Sequence, residues 1–451
     1  MHDWVMQTRR DNRQGRLILL PPLEEFVPSD HRLRRLNKVL DLGFVHEAVR
    51  DKYSQDNGRP SVDPEVVIRL FLLQAIEGIG QVRELLRQVQ VNLAYRWFIG
   101  YELDEEIPDH STLSKVLDRF GDAVFDELFA RSIAQCQASG LIEGKVLHVD
   151  ATVIRADIDK RNVNGEGSSD PDARFGHFPG GEVQPGYKQQ TAVDDRARVI
   201  VGVEVISADR QEGHSAASVV DRATTHLGCV PEAVCADAAY GSGENRAEFE
   251  GRGIRLISPP KEVMPVAGGR YFRVSDFQYD ESRDVFMCPS GALLRNVGGV
   301  LGRPKLQRYA ACRSSCRGCG LKERCTKGPR RQLKVSSYYG ALDRLRADSR
   351  TDSFRDLYRR RAPVVEGIFA EAKQWHGLRR AWRRGLTNVR VQCLLIAAVL
   401  NFKRLATAFI RFFGYLPAAR PTQTLIRAVL MRFREIVIET HSQIRYAPCQ
   451  T

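Results

Sequence analysis

Apolar residues in the first third of the chain recur at helical spacing. The run Pro64 to Glu77, PEVVIRLFLLQAIE, is apolar almost throughout and opens on a proline, whose missing N–H costs nothing in a first turn. A mostly buried helix is expected there, broken by Gly78-Ile79-Gly80. Val82, Leu85, Leu86 and Val89 then follow the i, i+3, i+4, i+7 rhythm of an amphipathic helix. Leu113, Val116, Leu117 and Phe120 repeat it behind Ser111, the expected N-cap. A further helix is expected from Ala123 to Ser139, closed by Gly140, and residues 1–140 form a helical N-terminal domain. Short helices joined by tight turns suit helix-turn-helix reading of DNA, and they suit plain helical packing as well.

The texture changes after Gly140. Residues Lys145 to Ala156, Gln190 to Asp195, Val199 to Ser207, Ala233 to Ala239 and Ile254 to Ser258 are short, apolar and β-branched, and read as strands. Helices are expected from His214 to Leu227 and from Glu244 to Gly251, so neighbouring strands give way to alternation. The fold class is therefore α/β, a mixed sheet with helices on its faces. Asp157 to Gly186, rich in Gly, Asp and Pro, reads as a long mobile loop. The sheet domain, 141–260, is followed by a small Cys-rich insertion, 261–340, and resumes as helices in 341–412. One helix is expected from about Pro363 and another from Leu386 to about Phe409. The tail, 413–451, has room for a helix around Thr424 to Ile438.

Composition narrows the class. With 43% hydrophobic and 27% charged residues, the 451-residue chain can bury cores and is not generally disordered. Its length suits roughly two to four domain-sized units. Lys and Arg number 68 against 55 Asp and Glu, a net charge of +13, which favours a polyanionic partner over a merely solvated basic surface. No signal-peptide core opens the sequence, and Leu394 to Leu400 is far short of a membrane span, so a cytoplasmic protein without a membrane partner is expected. In a reducing compartment the ten cysteines suit metal ligation or apolar burial better than disulfides.

Two aspartates stand out by setting. Asp150 lies within the first strand (KVLHVDATVIRA) and Asp237 at the end of the fourth (AVCADAAYGSGEN), both among small residues. A carboxylate at the end of an apolar strand needs a partner or a cation; the competing reading of Asp237 is a turn cap. The third acid is Glu366 in RAPVVEGIFAEAKQWHGLRR, where Glu366, Ala370 and Lys373 share one helix face beside an apolar stripe. A carboxylate for metal and a lysine for phosphate two turns apart suit a nucleic-acid site, although an ordinary charged surface gives the same pattern.

The VD of the first strand, the AD-x-x-Y-G-S of the fourth and the E-x6-K helix, in this order, resemble the DDE transposases of bacterial insertion sequences. The resemblance extends to IPDHSTLSKVLDRFG, GYKQQTAVD and RRGLTNVRVQCLLIAAVLNFKRL, and so covers nearly the whole chain. It implies an RNase H-like catalytic domain in which Asp150, Asp237 and Glu366 bind Mg²⁺ or Mn²⁺, two ions in all, with Lys373 as the basic helix partner. It further implies cleavage of DNA at the element's terminal inverted repeats, transfer of the 3′-OH ends into target DNA, and a homodimer on DNA. Related families carry Y-x2-R-x3-E-x6-K; here Tyr358 and Arg361 stand one residue further from Glu366. Glu371 is a competing acid on another face, and Tyr240 is expected to pack or touch DNA.

Cys288, then Cys312, Cys316, Cys319 and Cys325, resemble a zinc-ribbon-like insertion. Cys288, Cys316, Cys319 and Cys325 are the expected ligands of a structural Zn²⁺, leaving Cys312 spare. Arg313, Arg317, Lys322, Arg324, Lys327, Arg330 and Arg331 surround them and suit contact with the DNA backbone. Arg379, Arg380, Arg383 and Arg384, interrupted by Trp382, could clamp a DNA end or form a solvated basic turn. His148 points to the side of Asp150 by strand alternation, as a supporting contact or a buried structural histidine. Two other functions fit the same residues: a noncatalytic DNA-binding protein derived from a transposase, and a general RNase H-like nuclease.

Overall fold

Asp63 starts the first long helix: its carboxylate accepts the Glu65 N–H at 2.7 Å, and Pro64 follows at the first helical position. The computed structural model describes residues 21–53, 61–163, 168–261 and 271–414. Three short helices, α1 (Leu23–Phe26), α2 (Arg32–Asn37) and α3 (Val45–Ala48), precede α4 (Pro64–Glu77). Gly78 closes α4 at φ 64°, where a side chain would also collide with the Trp375 carbonyl at 2.6 Å. Then follow α5 (Val82–Val91), α6 (Leu93–Ile99), α7 (His110–Phe120) and α8 (Ala123–Ala138). The cap of α7 is Asp109 and not Ser111: the Asp109 carboxylate accepts the Ser111 N–H at 2.8 Å.

The central sheet is mixed. Its strands are β1 (Val146–Arg155), β2 (Arg174–His177), β3 (Val183–Asp194), β4 (Ile200–Ser207), β5 (Ala233–Cys235) and β6 (Arg255–Ile257). β3 lies antiparallel to β1, with β4 antiparallel on its far edge, while β5 and then β6 run parallel to β1. Helices α9 (Ala216–Leu227) and α10 (Gly243–Gly251) fall where the sequence expects them. The segment read as a long loop differs: β2 pairs with the first residues of β3, Arg174 opposite Gly186 through His177 opposite Val183. Gly186 also lets β3 lie close against β1, since a Cβ there would sit 2.3 Å from the Ile154 carbonyl oxygen.

A second, antiparallel sheet follows. It orders β11 (Gln332–Ser336), β10 (Arg303–Ala311), β9 (Leu293–Val300), β8 (Val285–Met287) and β7 (Gln278–Asp280), with α11 (Arg313–Arg317) between β10 and β11. Phe277, Phe286, Leu294, Tyr309, Leu333 and Val335 give it a small core of its own, against which Cys288, Cys316 and Cys325 pack. Three helices complete the described chain: α12 (Tyr339–Asp348), α13 (Asp352–Trp375) and α14 (Leu386–Gly414). The helix expected from Pro363 begins earlier, at Asp352, capped by the Thr351 hydroxyl, and carries Pro363 in its interior. The tail helix expected at Thr424 to Ile438 lies outside the described residues.

The boundary drawn at residue 140 does not separate two cores. One hydrophobic core runs from Leu33 of the N-terminal helices through β1, β3 and β4 to Ala406 of α14. α14 has the length and apolarity to cross a membrane, with a mean hydropathy of 1.7 in its most apolar 18-residue stretch, and 67% of that stretch is buried inside the protein. Asn401 anchors it: its amide oxygen accepts the Ile200 N–H at 2.9 Å, and its amide nitrogen donates to the Ile200 carbonyl and to Ser132 of α8. A buried amide so fully satisfied fixes how α14 sits on β4 and α8.

Candidate active site

Strand register brings the two aspartates together. In the parallel pair β1·β5, Val146, Leu147 and His148 lie opposite Ala233, Val234 and Cys235. Two residues further on, the same offset sets Asp150 opposite Asp237, and the charge of Asp237 is felt at Asp150. Asp237 caps the turn Ala238–Tyr240, one carboxylate oxygen accepting the Ala239 N–H at 2.9 Å. Its second oxygen has no hydrogen-bond partner among the described residues. The turn-cap and functional readings of Asp237 are thus compatible.

Asp150 already has a cation. Arg361 of α13 donates from Nη1 to Asp150 Oδ2 at 2.7 Å, and the Ala151 N–H donates to Oδ1 at 2.9 Å. Burial pushes the Asp150 carboxyl above its ordinary range, while Arg361 pulls it back. Burial also disfavours the guanidinium charge, but Asp150 and then Tyr358 and Asp237 outweigh it and hold Arg361 firmly protonated. Tyr240 is fully buried, feels Glu212, Asp150, Asp237 and Arg361, and its hydroxyl has no partner. It packs, as expected, beneath the acids.

Helix α13 carries the remaining expected residues, and it spreads them out. Phe354 and Leu357 pack with Cys235 and Ile257, Arg361 reaches Asp150, and Lys373 lies near the far end. Glu366 is exposed and has no hydrogen bond or ion pair among the described residues, five residues or about 7.5 Å of helix beyond Arg361. No three of His, Cys, Asp and Glu stand close enough to hold a metal ion among the described residues. Asp150 and Asp237 are brought together; Glu366 is on the same helix as their arginine but is not seated against them.

Glu371 is occupied elsewhere. Burial would raise its pKa, but Arg404 and Lys403 of α14 hold it at about 2. Lys403 also donates to His376 Nε2 at 3.1 Å, and His376 Nδ1 bonds the Ala75 carbonyl at 2.8 Å, tying α13, α14 and α4 together. His148 is likewise structural: it is fully buried, its Nε2 lies 2.7 Å from Asp195, and burial lowers its pKa more than Asp195 raises it.

Three of the four clustered arginines have intramolecular work. Arg380 pairs with Asp157, Arg383 with Asp118 of α7 at 2.7 Å, and Arg384 donates to the Asp157 carbonyl at 2.9 Å. Arg379 donates to the Lys373 carbonyl at 3.1 Å and has no carboxylate partner among the described residues. Lys373 is half-buried with no carboxylate against it; burial and then Arg379 lower its pKa. The Trp382 backbone N–H donates to Gln392 Oε1 at 2.9 Å, and the indole is partly packed into the core.

The four chosen cysteines face one small pocket of the second sheet. Cys288, Cys316, Cys319 and Cys325 line it together, and Cys325 feels the other three. The Ala292 N–H points at Cys288 Sγ at 3.3 Å, and Ser290 Oγ lies 3.3 Å from Cys288 Sγ and 3.4 Å from Cys319 Sγ. Cys312 is exposed and bonds Ser314. Sequence reasoning set Arg361 aside on spacing and missed Glu212; only the register of β1 and the course of α13 reveal the first, and a turn packed under Ala239 the second.

Two family models match the chain. A transposase domain (DUF772) matches residues 21–119, and a transposase DDE domain matches residues 287–406, a span that includes the cysteine cluster and Glu366 but begins after Asp150 and Asp237. No curated protein sequence matches. Among solved structures, a piggyBac transposase synaptic complex with hairpin DNA is similar over 89% of this chain and 82% of its own, at 9% identity and a TM-score of 0.31. A Mos1 transposase paired-end complex with the left transposon end is similar over 72% of this chain and 84% of its own, at 12% identity and a TM-score of 0.15. At TM-scores of 0.31 and 0.15, neither likeness bears on the reading of the site.

Proposed function

We propose, from the premise that the chain is a DDE transposase, that it cuts DNA at the ends of its own element and joins the freed 3′-OH ends to target DNA. The observation that carries this reading is the nearness of Asp237, just beyond β5, to Asp150 of β1, whose carboxyl feels its charge. Two carboxylates at matched positions on adjacent strands, one of them buried against a guanidinium, form a site built for positive charge. The mixed sheet, with β1, β3 and β4 antiparallel in sequence and β5 and β6 parallel to β1, supports an RNase H-like core.

The donor set suits a hard divalent cation, because Asp150, Asp237 and Glu366 offer oxygen alone. These three would hold Mg²⁺ or Mn²⁺, which when bound activates the attacking oxygen and stabilises the leaving one at phosphorus. Arg361 opposes the effect of burial on Asp150 and orients its carboxylate beforehand. Asp237 is held by the turn that it caps. Lys373, free of acids, is placed to take a phosphate of the DNA strand. Glu366 completes the set by turning inward from its exposed position on α13. Duplex DNA, as terminal repeat and as target, is the partner this reading requires, with two copies of the chain on paired ends.

In the second sheet, the four thiols that line one pocket, Cys288, Cys316, Cys319 and Cys325, stand too far apart to close on an ion as they are and would draw together to hold a structural Zn²⁺. About one zinc per chain, lost in Cys316→Ser and kept in Cys312→Ser, is the expected metal count. The cleavage test uses a plasmid carrying the coding region with its flanking DNA. Wild type with Mg²⁺ should release the element, and Asp150→Ala or Asp237→Ala should lower the rate roughly 1,000-fold or more. Full activity in either variant would rule the reading out. Nicking without strand transfer would favour a general nuclease.

A further inference from the structure

Helix α13 is tied to the sheet by two consecutive arginines, and only one of them touches the acid site. Arg361 lies on Asp150, while Arg360 pairs with Asp195, the residue after β3. Asp195 is built into its place. Its backbone N–H donates to the Val146 carbonyl at 3.2 Å, and its Oδ1 lies 2.7 Å from His148 Nε2, which leaves Oδ2 for Arg360. The buried Asp194 braces the same turn, accepting the Gly144 N–H at 2.8 Å and the Arg196 N–H at 3.0 Å. His148 is fully buried and its Nδ1 has no partner among the described residues, a cost that an apolar residue on β1 would avoid. The turn meets α13 a second time further along, where a Cβ at Gly367 would stand 3.5 Å from Arg198 Nη1.

Successive residues stand about 100° apart around a helix axis. Arg360 and Gly367, seven residues apart, therefore share one edge of α13, the edge that the turn between β3 and β4 grips. Glu366 lies about 120° round the axis from Arg360 and about 140° from Arg361, on the opposite edge, so it stands exposed while both arginines are paired. Rolling the helix to bring Glu366 onto Asp150 and Asp237 draws Arg360 off Asp195. We infer that Asp195 is a positioning residue for the acid site: by holding Arg360 it fixes the roll of α13 and keeps Glu366 withdrawn until a bound cation offsets the loss of the pair. One ion pair on a long, flexible arginine would let the helix roll, whereas pairs at two consecutive positions, about 100° apart, resist it. A contact made in the withdrawn state and broken in the metal-bound one weakens metal binding by as much as it favours the first state. The inference rests on the reading of Glu366 as the third metal-holding acid.

Calorimetric titration of the full chain with Mn²⁺ in the absence of DNA, with thermal unfolding in EDTA beside it, is the test. Asp195→Asn keeps an acceptor for His148 and removes the charge that holds Arg360. Arg360→Ala, at a half-exposed position, removes the other partner without opening the core. Each variant should unfold at a lower temperature in EDTA and yet bind Mn²⁺ about fivefold more tightly, the size of one well-placed surface ion pair. The double variant should gain no more than either single one, and Arg360→Lys should stay within about twofold of wild type. The gain should vanish once Glu366→Gln is added to either variant. A merely structural pair would lower stability and leave Mn²⁺ affinity where it was. Wild-type Mn²⁺ affinity in both Asp195→Asn and Arg360→Ala, weaker binding in either, or a gain that persists with Glu366→Gln would overturn the inference and leave the acid site standing. Equal Mn²⁺ affinity in wild type and Glu366→Gln would overturn the reading of Glu366, and this inference with it.

Discussion

Helix α13 meets opposite electrostatic situations at two points along its length. At Arg361 it lays a guanidinium on a largely buried carboxylate, and each charge stabilises the other. At Lys373, twelve residues or about 18 Å further along the axis, it places a half-buried ammonium beside another cation with no acid to answer it. The difference teaches how one helix can serve both parts of a phosphodiester. The acid end is self-neutralised, so an incoming cation must displace or join Arg361. The basic end is left uncompensated and has only a ligand to relieve it.

The comparison can be broken by substitution, and the two ends should respond with opposite sign. Arg361→Met strips Asp150 of its cation and should cost about 3–5 kcal/mol in EDTA, read by denaturant unfolding, with much of the loss recovered by millimolar Mn²⁺. A loss that Mn²⁺ leaves unchanged would mean that Arg361 does not stand in for a bound cation.

Glu371 supplies an intermediate case, because its charge is answered from outside α13. Its carboxyl is held at about 2 by Arg404 and Lys403 against the cost of burial. A folded-state pKa below the unfolded value gives stability that is fully present above about pH 4.5 and is lost as pH falls toward about 2. Glu371→Gln should flatten that acid limb and cost about 2–3 kcal/mol at neutral pH. An unchanged acid limb would remove the triad Glu371, Lys403 and Arg404 from the account.

Lys373→Met should have the smallest effect on folding and the opposite sign. Relieving a half-buried, unanswered charge should leave stability unchanged or raise it by up to about 1 kcal/mol, while duplex DNA binding falls. A clear destabilisation would show that Lys373 has an internal partner.

Much of this was legible in the sequence, for physical reasons that differ by element. Long apolar runs such as Pro64–Glu77 and the β-branched core of β1 announce themselves because burial dictates every residue in them. Motif order singles out Asp150 and Asp237 as acids of one site, and the parallel course of β1 and β5 brings their ends near each other. β2 and the second sheet were not legible, since exposed strands such as Leu293–Val300, rich in Gly and polar residues, carry no alternation. Pro363 misled the reading of α13, because a proline inside an exposed turn of helix looks locally like a start. Arg361 was hidden for a different reason: its role depends on how a helix crosses a strand 211 residues away in the chain, which no local spacing encodes.

Direct binding of Mn²⁺ to the full chain, followed by calorimetry without DNA, tests the central claim most directly. Wild type should bind Mn²⁺, Arg361→Met should bind it more tightly, and Asp150→Asn and Asp237→Asn should each lose the site. Unchanged Mn²⁺ affinity in both asparagine variants would contradict the assignment of the paired aspartates as the metal-holding centre.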